Sequence, residues 1–131
     1  MKYLCLVYLD AANEQTRSAG GCAALAGADR DYQEDLRRAG QAIVAAALQP
    51  PHRATAVRFL NGEPCLSDGP DGATTAALAA FYLIEARDLN EAIRIVSRIP
   101  SARHGSVEVR PVVECEPRDQ AGADEEEELR G

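Results

Sequence analysis

Five side chains have the types and spacing that chemistry would use: Asp68, His104, Arg58, Glu108 and Arg110. Asp68 stands in Ser67-Asp68-Gly69-Pro70, where an acceptor side chain, a residue free to take positive φ and a ring of fixed φ follow one another. A carboxylate on such a turn at a strand end can act as a base or anchor a ligand hydroxyl, or it can bond the backbone of its own turn. His104 paired with Asp68 would give an acid–base couple near neutral pH; a solvated loop histidine is the alternative. Glu108 and Arg110, two apart on one strand face, would bind a polar ligand or form an ion pair. Arg58 would grip a substrate carboxylate bidentately, or meet Glu108. His52, after two prolines, reads as loop. No cluster has metal-ligand spacing, no glycine loop precedes a helix and no serine sits in a nucleophile elbow, so no metal, cofactor or covalent chemistry is expected.

These residues need a scaffold, and 131 residues with 46% hydrophobic content suffice for one core without staples. Of the net charge of −7, residues from Glu114 onward carry −6, which leaves residues 1 to 113 nearly neutral. A surface that tracks phosphates is not expected, so direct nucleic-acid binding is not either. Cys5, Cys22, Cys65 and Cys115 are widely spaced and read as small buried apolar residues in a reducing, cytoplasmic setting. No apolar run approaches membrane-spanning length, and the chain enters a strand without a charged-then-apolar leader.

Lys2 to Leu9 is apolar on both alternating faces and predicts a strand covered on both sides. Asp10 to Gly27 reads as loop with one irregular helical turn. Ala28, Tyr32, Leu36 and Ala39 recur at helical spacing, with Asp31, Glu34, Arg37 and Arg38 outward, in a helix ending near Gly40. Gln41 to Leu48 reads as strand, and Thr55 to Leu60 with Glu63 to Ser67 as a hairpin about Asn61-Gly62. Ala73 to Ala80 is featureless, and Phe81 to Ala86 is a strand. Asp88 with Glu91 opens a helix striped by Leu89, Ala92, Ile93 and Val96 and closed before Pro100. Ser106 to Val113 is the last strand, and the acidic stretch beyond Pro117 is expected to be disordered. The order predicts an α+β, ferredoxin-like antiparallel sheet with two helices on one face and an inserted β-hairpin. Two helices cover one sheet face, so a second copy is expected on the other, as a homodimer.

Met1-Lys2-Tyr3, Ala39-Gly40, Val57-Arg58, Ser67-Asp68-Gly69-Pro70, FYLIEARDLNEAI, Pro100-Ser101-Ala102 and Gly105-Ser106-Val107-Glu108-Val109-Arg110-Pro111 together resemble the YCII-related proteins of the DGPF type. The likeness covers residues 1 to 113 and leaves 114 to 131 as an acidic tail. It implies a dimeric α+β barrel of ferredoxin-like subunits, generally bacterial and cytoplasmic. It also implies either a small-molecule-binding module with a functional link to a sigma factor, or a cofactor-independent lyase- or isomerase-like enzyme. In this chain Asp71 stands where the turn usually continues into Phe. No histidine precedes His52 to match the one proposed as catalytic near the first helix of related enzymes. If the chain is an enzyme, its own residues leave Asp68 and His104 to carry the acid–base chemistry, with Arg58, Glu108 and Arg110 binding ligand.

Overall fold

In a computed structural model, residues 1–10, 19–69 and 76–114 are described. In chain order the elements are β1 (Lys2–Asp10), α1 (Ala19–Arg38), β2 (Ala42–Ala47), β3 (Thr55–Leu60), β4 (Glu63–Asp68), β5 (Ala76–Glu85), α2 (Leu89–Val96) and β6 (Gly105–Pro111). Short 3-10 turns at Pro51–Arg53 and Pro100–His104 lead into β3 and β6. β2, β5, β1 and β6 make one antiparallel sheet in that order, while β3 and β4 form a two-stranded sheet of their own. Sheet and helices together are consistent with the expected ferredoxin-like α+β arrangement.

Local chemistry sets most boundaries. α1 ends where Gly40 takes φ +73, with Gln41 N–H donating to Leu36 O at 2.9 Å and Gly40 N–H to Arg37 O at 3.0 Å, the pairing of a Schellman cap. Asn61 and Gly62, at φ 53 and 81, make the two-residue turn whose twist suits a hairpin. Asp88 accepts from Glu91 N–H at 2.9 Å, while the Glu91 carboxylate accepts from Arg87 N–H at 2.7 Å, which closes the start of α2.

The core lies between one sheet face and both helices. Tyr3, Cys5 and Val7 of β1, with Ala80, Tyr82 and Ile84 of β5, meet Leu36 of α1, Ala92, Ile95 and Val96 of α2, and Ile99. Two polar groups inside are satisfied. The Gln33 amide donates to the Tyr82 hydroxyl at 3.4 Å, and Asp29 accepts from Ser101 N–H at 3.0 Å, pinning the Pro100–His104 turn onto α1.

Several expectations need correction. α1 begins by Ala19, within a stretch read as loop: Ala23-Ala24-Leu25 favours helix and outweighs the neighbouring glycines. Its inward residues are Tyr32, Gln33 and Leu36, with Ala28 and Ala39 exposed, because Gln33 finds a buried partner in Tyr82. β5 starts at Ala76, since its alanines pair with β1 past a bulge at Val7/Tyr8 that a featureless string does not signal. β6 runs Gly105–Pro111. Cys5 is buried as expected but Cys65 is exposed, because β4 lies outside the core. Within the chain the helices cover one face of β1, and Leu4, Leu6 and Tyr8 on the other are half-buried. The acidic tail beyond residue 114, and residues 70–75 after Gly69, lie outside the described residues.

Candidate functional site

Asp68 is the last residue of β4, exposed and paired with Thr55. Gly69, at φ +83, donates to Ala54 O at 2.7 Å, which carries the β3–β4 pairing one residue past Asp68. The Asp68 side chain is exposed, and the residues that follow Gly69 lie outside the described ones. His104 is half-buried at the end of the Pro100–His104 turn. Gly105, which follows, is fixed by close approach. A Cβ there would lie 1.8 Å from Tyr8 O, so only glycine lets β6 start against β1.

β2 ends, and β5, β1 and β6 meet, at the sheet end from which the β3–β4 pair leaves. Asp68 ends a strand of the two-stranded sheet, whereas His104 stands just before β6, an edge strand of the four-stranded sheet, and among the described residues no hydrogen bond or ion pair joins the two side chains. Arg58, opposite Cys65 in the β3–β4 ladder, is likewise on a different sheet from Glu108.

One candidate pair is brought together. Arg110 Nη2 lies 3.0 Å from Glu108 Oε2 along β6. Because residues opposite one another in a ladder share a face, register places this pair in a defined row. Val44, Leu83, Leu4 and Arg110 form one line across the four strands, and Ala46, Phe81, Leu6 and Glu108 the next. Leu78, Tyr8 and Ser106 continue it on three strands. This face lies opposite the helices and is apolar apart from its β6 edge. An exposed intrastrand ion pair contributes little stability, roughly 0–1 kcal/mol, so its main effect is to place a carboxylate and a guanidinium at the rim of an apolar surface.

A second concavity lies on the other side of the sheet. Between the C-terminal half of α1 and α2 is a cleft of about 350 Å³, with Tyr32, Leu36, Gln41, Ile95, Arg94 and Arg98 among its lining residues. The Tyr32 hydroxyl donates to Ile95 O at 2.6 Å and ties the helices across it. Burial raises the Tyr32 pKa, nearby Arg98 opposes that, and Asp35 adds to it. The sequence reading missed these residues. Arg94 in α2 and Arg98 just past its end carried a signal, but nothing local sets Tyr32 and Gln41 opposite them. Among the described residues no three His, Cys, Asp or Glu side chains gather to hold a metal, and no helix is long and apolar enough to cross a membrane.

A protein-family comparison matches residues 1–116 to the YCII-related domain. The chain is also 35% identical over 95 residues to an uncharacterized protein of Rhizobium meliloti (strain 1021), covering 71% of this chain and 73% of that one. With a match that spans β1 through β6, including the Gly105–Pro111 strand, the chain belongs to the YCII-related family.

Proposed function

We propose that the protein is a DGPF-type, small-molecule-binding member of its family that works as a homodimer, a dimeric α+β barrel closed by two sheets packed face to face. The observation that carries this reading is the uncovered row of Val44, Leu83, Leu4, Phe81, Leu6, Tyr8 and Leu78, opposite a face fully used by the helices. A contiguous apolar sheet face is costly to leave in water, and an identical face related by a two-fold axis is self-complementary. The ligand space lies between the sheets, where the Glu108–Arg110 rim supplies both signs of charge to orient a polar group over an apolar floor. A regulatory link to a sigma factor rests on the family resemblance alone.

Sedimentation at micromolar concentration tests the dimer, with Leu6→Lys as the disrupting variant. Twice the chain mass for the native protein and a folded monomer for the variant are expected; a native monomer overturns the reading. The alternative is an acid–base lyase or isomerase using Asp68, which is exposed at the end of β4, and His104, which is half-buried before β6. It predicts an activity that Asp68→Asn and His104→Gln each abolish.

A further inference from the structure

The cleft between the helices is lined by two carboxylates and two guanidiniums, and only the carboxylates have ion-pair partners among the described residues. Its two carboxylates are already engaged: Asp35 Oδ1 lies 3.9 Å from Arg38, and Glu91 takes Arg87 Nε at 3.2 Å and Arg87 N–H at 2.7 Å. Arg94 and Arg98 also line the cleft, and among the described residues neither makes an ion pair. Arg94 is in the last turn of α2 and Arg98 in the turn that follows its Ser97 cap, and since both line the same cleft their guanidinium forks can close on one planar anion, which a lysine pair would hold less specifically. Beside them Leu36, Ile95 and the Tyr32 ring supply the apolar and aromatic part of the lining. Leu36 and Ile95 belong to the packed core, and the Tyr32 ring is held in place by its bond to Ile95 O. The Gln41 side chain adds an amide at the α1 end.

We propose that this cleft is a binding site for a small carboxylate with an apolar or aromatic body, the carboxylate gripped by Arg94 and Arg98 and the body laid against Tyr32, Leu36 and Ile95. The volume of about 350 Å³ is at the small end of the range, roughly 300–1,000 Å³, that holds small ligands. The site lies on the helical side of the sheet, so it is separate from the proposed dimer face and independent of it.

Titration of the full chain with benzoate, followed by ¹⁵N-resolved NMR, tests the proposal. Amides of residues 30–41 and 91–98 are expected to shift saturably, and inorganic phosphate, which lacks the apolar body, to bind at least tenfold more weakly. Arg94→Gln with Arg98→Gln should weaken benzoate at least tenfold without changing the melting temperature, as both side chains are exposed. Leu6→Lys, which disturbs only the proposed dimer face, should leave the benzoate shifts in place. Benzoate shifts that map elsewhere, survive the double substitution, or match those of phosphate in strength overturn the proposal.

Discussion

Cys5 and Cys65 occupy the same kind of position, the middle of an antiparallel strand, yet Cys5 is 0% exposed and Cys65 lies open to solvent. The contrast extends to their sheets. In the four-stranded sheet, Tyr82 and Ile84 are fully covered by helices. In the β3–β4 pair, Phe59 is 70% and Leu66 71% exposed, although the hairpin turn is better specified than any other. Alternation and turn chemistry therefore make strands, while burial depends on what the rest of the chain lays over them. A two-stranded sheet alone is marginal in water, so β3–β4 depends on its attachment to the larger fold.

The largest effect that would break this contrast comes from cavity formation. Ile84→Ala should cost about 2–5 kcal/mol by urea unfolding, against less than about 0.5 kcal/mol for Leu66→Ala. Comparable losses would mean that the β3–β4 pair is packed as firmly as the core. Next is Gly105→Ala, whose new Cβ meets backbone at Tyr8 that has no freedom to yield. A loss of roughly 1–3 kcal/mol is expected. Gly27→Ala, with nothing within 4 Å of the added atom, should instead gain up to about 1 kcal/mol in helix propensity.

A smaller, pH-dependent difference separates Tyr82 from the exposed strands. Burial pushes its phenol up to about 12, only partly offset by the hydrogen bond from Gln33. The unfolded phenol ionises near 10 while the folded one resists, so this contribution is complete below about pH 10 and is lost as pH rises toward 12. Tyr82→Phe should flatten that part of the alkaline stability curve; an unchanged curve would place the loss elsewhere. The smallest perturbation is thiol labelling near neutral pH. Peptide mapping should show Cys65 modified rapidly and Cys5 protected until unfolding, since burial removes access and raises the Cys5 thiol to about 11. Equal labelling rates would erase the distinction between the two sheets.

What the sequence determined by itself was local. Gly40, Asn61-Gly62 and Asp88 with Glu91 fix backbone shape or cap a helix within a few residues, so the end of α1, the β3–β4 turn and the start of α2 were legible. The adjacency of Glu108 and Arg110 was legible for the same reason, because alternation puts residues two apart on one face. Tertiary structure decided what depended on partners distant along the chain. β5 begins at Ala76 because β1 offers a ladder there, and Gln33 is buried because Tyr82 receives its amide. The path of β3–β4 sets Asp68 on the two-stranded sheet, while His104 stands in the turn that leads into β6 of the four-stranded one. Tyr32, Gln41, Arg94 and Arg98 converge because two helices separated by most of the sheet pack over one face, and no period within either helix encodes the other's position.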